Sequence, residues 1–401
     1  MSTSNETICQ TAIPSRQPVG PAFGPVLGIA LSSFAYFFFL GTATPYFSLW
    51  LAQKGLQSNW IAAIATALLI GATIGQALLP YAALRIGRTP ALLVTTLGGL
   101  GCTAALMLAP SPGALLGIAL TGALFTGAAI PLIDAIALEK ASPWYGRIRA
   151  TGSAGFAMAT LGVGWLIDRI GVACVVPVEL AALLGLLAGA LLTALPLSLA
   201  PTQPAPRVST GSASPLRSAG LWAVMLSVAL INAGHAYYYT FSNLHWSRDL
   251  GYSSATLGLL WATGVAAEIS VFSGFSQSGD TSGARRLILL GAGGGLIRWS
   301  ITAFDPPLAL LFALQLLHGL SFAATLLGGL RMVKAMVPDD VAPLAIGVFA
   351  ALVHGVVIGL VTALLGLPFA RDPAVAYLLM AGLCGAGGGG ALMLRRFRAP
   401  A

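Results

Sequence analysis

Residues 172–195 read VACVVPVELAALLGLLAGALLTAL, a run of 24 residues in which Glu179 is the one charged side chain. A helix needs about 20 mostly apolar residues to cross the hydrocarbon core of a bilayer, so this run predicts a transmembrane helix. Directly after it, residues 196–220 contain five prolines and many serines and threonines, which is typical of a soluble linker. The stretch therefore predicts a membrane span followed by a break in the chain.

Comparable apolar runs recur on both sides of this linker. Charged residues make up 8% of the 401 residues, whereas a soluble domain carries about a quarter, so a bilayer is the expected solvent. We expect an all-α membrane protein with twelve transmembrane helices in two six-helix lobes. The predicted helices lie near 26–51, 60–79, 90–109, 113–139, 149–167, 172–195, 221–245, 254–275, 285–303, 307–331, 342–366 and 373–394. The predicted domains are a tail (1–25), the first lobe (26–195), the linker (196–220), the second lobe (221–395) and a tail (396–401).

The distribution of Lys and Arg predicts the orientation of these helices. With the N-terminus in the cytoplasm, fifteen of the twenty basic residues fall on cytoplasmic segments. The other five are Lys54, Arg169, Arg248 and Arg371 on the outer side and Arg298 within helix 9. This bias follows the positive-inside rule and predicts that both termini and the linker are cytoplasmic. The bases ring the membrane without forming a patch, so no nucleic-acid partner is expected.

No catalytic or metal-binding spacing occurs in the sequence. The four cysteines are scattered and form no CxxC pair, and no nucleophile–base constellation is present. The glycine runs 291–295 and 387–390 lie inside apolar spans with no strand before them, which favours helix packing over phosphate binding. We therefore expect no enzyme activity, no cofactor and no metal ion.

Ionisable residues inside predicted spans are costly and therefore indicate function. Asp134 lies in helix 4 and Arg149 at the start of helix 5, while Glu268, Arg298 and His318 lie in helices 8, 9 and 10. A buried arginine needs a partner, and Glu268 is the nearest acid by helix order, so we expect these two residues to pair. A glutamate that alternates between a paired and an unpaired state can carry a proton. The alternative is a static structural ion pair.

Two predicted helices carry polar residues at helical spacing. In helix 7 these are Asn232, His235, Tyr239 and Ser242, and in helix 10 they are Gln315, His318, Ser321 or Phe322, and Thr325. Steps of three and four residues put each set on one helix face, which must point inward. Both faces predict a polar cavity that includes His235, Tyr239 and His318. For His354 and Glu179, a packing or interfacial position is favoured.

The chain resembles the major facilitator superfamily, and within it the 3-phenylpropionate permease-like group related to lactose permease. The segments that carry the resemblance are Phe34-Ala35-Tyr36-Phe37-Phe38, Gly41, Pro45-Tyr46-Phe47, Trp50-Leu51, Pro131-Leu132-Ile133-Asp134, Tyr145-Gly146-Arg147-Ile148-Arg149, Gly152-Ser153, Gly234-His235-Ala236-Tyr237-Tyr238, Phe241-Ser242, Leu260-Trp261-Ala262-Thr263-Gly264-Val265, Glu268, Arg298-Trp299 and Gln315-Leu316-Leu317-His318-Gly319. They occur in consistent order between about residues 26 and 395.

The resemblance implies proton symport by alternating access across a bacterial cytoplasmic (inner) membrane, with the chain functional as a monomer. Asp134 and Arg149 match positions that hold substrate in lactose permease, and Glu268, Arg298 and His318 match its acid, arginine and histidine on helices 8 to 10. We expect a small organic acid as substrate, and an aromatic carboxylate such as phenylpropionate in particular. The substrate would be bound by Asp134, Arg149, His235, Tyr239, Arg298 and His318, and the proton by Glu268, Asp134 and His318. The alternatives are a sugar or nucleoside symporter and, from another class, a non-transporting receptor or assembly protein.

Overall fold

A computed structural model of the chain describes residues 23–194, 214–274, 281–365 and 372–393. These residues form helices and turns with no strand. Eleven helices are long and apolar enough to cross a membrane. They are Gly24–Gln53 (α1), Ser58–Ile86 (α2), Arg88–Leu108 (α3), Pro112–Lys140 (α4), Ser142–Ile170 (α5), Val172–Ala194 (α6), Ala219–Arg248 (α7), Ser254–Gly274 (α8), Leu308–Met336 (α10), Ala342–Leu365 (α11) and Pro373–Met393 (α12). The predicted tails and most of the predicted linker lie outside the described residues.

Residues 281–302, in the stretch predicted as the ninth span, form one further long helix, Thr281–Thr302 (α9). Arg285, Arg286 and Arg298 make it less apolar than the eleven helices above. It packs against α10 and α12 all the same. Its glycines allow this contact, since a Cβ at Gly295 would lie 2.5 Å from the Cys384 sulfur. The glycine run therefore serves helix packing, as the sequence predicts.

The bundle satisfies its backbone within the helices and presents leucines outward, as lipid requires. Side chains such as Leu78, Leu84 and Leu360 are more than half exposed and point away from the core. Sharp turns separate successive helices: Gly87 and Gly171, at φ of 90° and 88°, allow reversals that side chains with a Cβ rarely adopt. The Ser111 hydroxyl accepts a hydrogen bond from the Ala114 amide and caps the start of α4.

The first six helices and the last six pack in corresponding ways. In the N-terminal half, α1 packs on α5 and α6, α2 on α4, and α3 on α4 and α6. In the C-terminal half, α7 packs on α11 and α12, α8 on α10, and α9 on α10 and α12. Each contact in one half thus has its counterpart six helices later. The halves meet through α5 against α8 and α2 against α11.

Three helices of the C-terminal half contain a π-helical turn. These turns are Tyr238–Ser242 in α7, Gly319–Ala324 in α10 and Leu352–Val356 in α11. In the described part of the N-terminal half the long helices have none. Such turns insert one extra residue into the helix and are frequent at functional sites.

Candidate functional site

A cavity of about 500 Å³ lies between the two halves. The residues around it come from α1, α2, α4 and α5 of the N-terminal half and from α7, α8, α10 and α11 of the C-terminal half. Each half therefore contributes its first, second, fourth and fifth helices to the wall. All three π-helical turns contribute a side chain to it, namely Tyr238, Phe322 and His354.

Nine aromatic side chains from the described part of the chain line this cavity. They are Tyr36, Phe37, Phe39, Phe47 and Phe156 from the N-terminal half and Tyr238, Tyr239, Trp261 and Phe322 from the C-terminal half. Tyr238 stacks on Trp261 with ring centroids 4.4 Å apart and planes at 17°. Aromatic faces of this kind bury planar apolar ligands well. The cavity therefore suits a small ligand with a ring.

Arg298 lies behind this wall and is fully buried. Its guanidinium carbon lies 4.7 Å from the ring centre of Tyr238 and 4.1 Å from that of Trp299. One terminal nitrogen contacts Nδ1 of His318 at 3.0 Å, and the other donates to Oε1 of Gln315 at 2.5 Å. The arginine is thus held by two rings and two neutral polar groups.

These contacts determine which ring nitrogen of His318 carries the proton. A guanidinium can only donate hydrogen bonds, so Nδ1 of His318 must accept from Arg298 and carry no proton. In the neutral imidazole the proton is then on Nε2. That nitrogen lies 3.8 Å from Oε2 of Glu268, which lines the cavity. His318 therefore presents a donor to the cavity wall, with the positive charge of Arg298 behind it.

The expected ion pair between Glu268 and Arg298 does not form. Among the described residues, the ionisable side chain in contact with Glu268 is His318, and Arg298 contacts no carboxylate. The physical reason is the position of the His318 ring, which lies between the two residues and contacts both. The pairing predicted from helix order is therefore wrong, although the three residues do form one cluster.

His235 is also fully buried and lies behind the wall. Its Nδ1 is 3.0 Å from the carbonyl oxygen of Asn232, which can only accept, so this nitrogen carries the proton. Its Nε2 accepts from the Ser321 hydroxyl at 3.1 Å. Tyr239 stacks on this ring at 5.6 Å and lines the cavity. Of the predicted site residues, Tyr239, Glu268 and His318 thus line the cavity, whereas His235 and Arg298 support it.

Asp134 and Arg149 meet each other but do not line the cavity. Their closest atoms are 3.4 Å apart, and their side chains are 26% and 39% exposed. The Arg149 guanidinium lies 5.1 Å from the ring centre of Phe37, which is part of the wall. The pair therefore adjoins the cavity through one aromatic ring.

Sequence reasoning missed several residues of the wall, above all His354. A single histidine in an apolar helix is more often a packing residue, so its spacing carried no signal. The structure places it in the wall, partly exposed, on the π-helical turn of α11. The sequence also offered no means of distinguishing the cavity residues Phe156, Trp261 and Phe322 from the many lipid-facing aromatic residues.

Hydrogen bonds between the halves close the cavity at the end remote from the linker. Asp168 of α5 accepts from the backbone amides of Ser254 and Ala255, at 2.8 and 2.9 Å, and so caps the start of α8. The amide of Asn243 in α7 donates to the carbonyl of Pro45 in α1 at 2.7 Å. Both contacts join one half to the other, so this end cannot open until they break.

Apolar helices around a central cavity between two matched halves define a polytopic membrane transporter. Residues 28–378 match the MFS_1 like family, and the chain belongs to that family. The resemblance to the major facilitator superfamily is therefore confirmed. Because the family and its relatives are transporters, the prediction that the chain is not an enzyme is also confirmed, and a receptor or assembly role is not supported.

The relatives and similar structures are transporters of several small molecules. The chain is 29% identical over 352 residues to the probable 3-phenylpropionic acid transporter of Escherichia coli (strain K12), covering 84% of this chain and 89% of that protein. It is 30% identical over 238 residues to the maltose permease of Geobacillus stearothermophilus, covering 57% of this chain and 58% of that protein. The crystal structure of the nucleoside transporter NupG has a TM-score of 0.79 at 16% identity, covering 93% of this chain and all of that one, which shows a shared fold.

Proposed function

We propose that this protein is a proton-coupled symporter of a small organic acid, with an aromatic carboxylate such as phenylpropionate as its expected substrate. It works by alternating access as a monomer in a bacterial cytoplasmic membrane, with twelve spanning helices, α9 among them. The two lobes are residues 26–195 and 221–395, and both termini and the linker are cytoplasmic. The observation that carries the proposal is the cavity with many aromatic residues whose wall includes Glu268 and His318, with Arg298 behind them.

The substrate class follows from the chemistry of that wall. An aryl ring fits among the aromatic side chains, and a carboxylate is attracted to the Nε2 proton of His318 and to the charge of Arg298 behind it. Tyr239 lines the same space and His235 supports it through their stacked rings. The relative from Escherichia coli, described as a probable 3-phenylpropionic acid transporter, supports this choice.

Proton coupling follows from competition for a single donor. The Nε2 proton of His318 faces Glu268 at 3.8 Å, and two carboxylates around one donor would repel each other in a dry cavity. A substrate carboxylate therefore binds only after Glu268 has taken up a proton. Release of the substrate restores the contact between Glu268 and His318 and expels the proton. His318 thus takes part in both substrate binding and coupling.

Asp134 and Arg149 have a second role, at the edge of the cavity. Their contact is long and partly exposed, so it can open at little cost. Arg149 then contacts the substrate carboxylate as the substrate passes Phe37. Asp134 either pairs with Arg149 again or takes up a proton. The pair thus assists binding in the N-terminal half.

The test is uptake by purified protein in proteoliposomes with an imposed pH gradient. Labelled phenylpropionate, lactose and a nucleoside are compared, each with and without the gradient. We expect gradient-driven accumulation of phenylpropionate and none of the other two. If phenylpropionate is not taken up, the proposed substrate class is wrong. If its uptake does not depend on the pH gradient, the proposed proton coupling is wrong.

A sugar or nucleoside symporter is the second candidate. The maltose permease of Geobacillus stearothermophilus, at 30% identity, is the observation that favours a sugar. In that case Asp134 and Arg149 would bind hydroxyl groups. Accumulation of lactose or the nucleoside in the same assay would support this candidate over the first.

A further inference from the structure

Within the described part of the chain, His354 has no hydrogen-bond partner, unlike the other three histidines. His235, His245 and His318 each have a polar group against both ring nitrogens. The His354 ring lies beside the ring of Phe322, at 6.1 Å between centroids. An imidazole carries one donor and one acceptor, and in a membrane interior both need partners. His354 is partly exposed and lines the cavity, so its partner must come from the cavity.

Phe322 links this unpartnered histidine to the proposed carboxylate site. Its ring stacks on His318 with centroids 5.4 Å apart and planes at 12°. Since Phe322 is 5.4 Å from His318 and 6.1 Å from His354, the two imidazoles are at most 11.5 Å apart. In a 3-arylpropionate, the carboxyl carbon and a hydroxyl at the far side of the ring are roughly 8 Å apart by standard bond lengths. One such molecule can therefore contact both histidines with its ring against Phe322.

We propose that His354 binds a hydroxyl group on the ring of the substrate, so that the transporter selects hydroxylated aryl carboxylates over unsubstituted ones. The carboxylate lies at His318 and Glu268, and the ring hydroxyl donates to or accepts from His354. This role depends on the proposed function, because it requires an aryl acid in the cavity. His354, on α11, is then a second binding residue, which holds the end of the substrate opposite its carboxylate.

The experiment compares ligands and variants in pairs. Isothermal titration calorimetry on purified protein measures the dissociation constants of 3-phenylpropionate, its 3- and 4-hydroxyphenyl analogues and the 4-methylphenyl analogue, which matches the hydroxyl in size but forms no hydrogen bond. The variants are His354→Phe, which keeps the ring and removes both nitrogens, and His354→Gln, which keeps a donor and an acceptor. Thermal unfolding checks that each variant is folded.

In the natural protein we expect one of the hydroxylated acids to bind about 3- to 10-fold more tightly than 3-phenylpropionate, the range of a single net hydrogen bond. The 4-methylphenyl analogue should not show a comparable increase in affinity over 3-phenylpropionate. His354→Phe should bring the ratio of the two dissociation constants close to one, and His354→Gln should keep part of the preference.

Two results would overturn the assignment while the proposed function stands. One is binding of 3-phenylpropionate with no preference for either hydroxylated acid. The other is a preference that persists unchanged in His354→Phe. Absence of binding by every aryl acid would instead overturn the proposed substrate class, and the role of His354 with it.

Discussion

The two halves of the cavity wall differ in both backbone and chemistry. The N-terminal half contributes regular helices and mainly apolar side chains, with its charged pair, Asp134 and Arg149, outside the wall. The C-terminal half contributes three π-helical turns and the cluster of Glu268, Arg298 and His318. Two halves with the same helix packing have thus taken different tasks, one shaping the cavity and the other supplying its polar chemistry.

The division has a physical basis in how polar groups are supported in lipid. A buried arginine or histidine needs several neighbouring partners, and these must converge from more than one helix. In the C-terminal half, α7, α9 and α10 supply them to one another through Tyr238, Trp299 and Gln315. Among the described residues, Oε1 of Glu179 in the N-terminal half has no hydrogen-bond partner, and Nε of Arg298 has none either. The following predictions test this division.

The largest expected effect is loss of proton-driven accumulation in Glu268→Gln. Glutamine keeps the shape of the side chain but cannot exchange a proton. A gradient of one pH unit supplies about 1.4 kcal/mol per proton, so about tenfold accumulation should be lost while substrate exchange continues. Uptake and counterflow in proteoliposomes measure the two processes separately.

The matched control is Glu179→Gln, a buried acid of the other half that does not line the cavity. It should still accumulate substrate. Normal accumulation by Glu268→Gln, or its loss in Glu179→Gln, would contradict the division of tasks between the halves.

An effect on substrate binding, of at most similar size, is expected when the two arginines are changed to lysine. Arg298 contacts two acceptors and lies against two rings, and an ammonium group cannot hold all four. Arg298→Lys should weaken substrate binding about tenfold, a loss of about 1.4 kcal/mol. Arg149→Lys should weaken it less, because its one carboxylate contact is long and partly exposed. Calorimetric titration with phenylpropionate provides the comparison, and equal losses in both variants would remove the distinction between the arginines.

The last prediction concerns conformation, at the place where the two halves touch. A Cβ at Gly164 of α5 would lie 2.5 Å from the Tyr46 hydroxyl and still closer to the Ser254 carbonyl oxygen of α8. Gly164→Ala should therefore cost the closed arrangement about 1–3 kcal/mol and shift the population toward one that is open at this end. The distance between spin labels at Gln57 and Arg248, exposed at this end of either half, should lengthen in a protein without native cysteines.

Gly162→Ala is the control for that measurement. It makes the same change on the same helix at a position with no atom within 4 Å of the added carbon. Its label distances should match those of the parent protein. A shift of equal size in both variants would mean that helix propensity, and not contact between the halves, is the cause.

Much of the fold was accessible from the sequence because membrane spans are a local signal. Eleven predicted spans match helices such as Ser58–Ile86 and Ala219–Arg248, with ends that differ by up to seven residues. The end of α2 at Ile86 was missed because a polar residue such as Arg85 does not stop a helix at the membrane surface. The polar stripes of helices 7 and 10 also pointed correctly to Tyr239 and His318 in the cavity wall.

The sequence by itself determined that the chain lies in a membrane, its helical class, its family, and Glu268 and His318 as candidate site residues. These depend on composition and on spacing within about 20 residues. The tertiary structure alone decided that His318 separates Glu268 from Arg298, and that His354 faces the cavity. Both depend on how each helix is rotated about its axis, and one extra residue in a π-helical turn changes that rotation by roughly 100°. No local pattern reports such a rotation, because it is set by packing against helices far away in the chain.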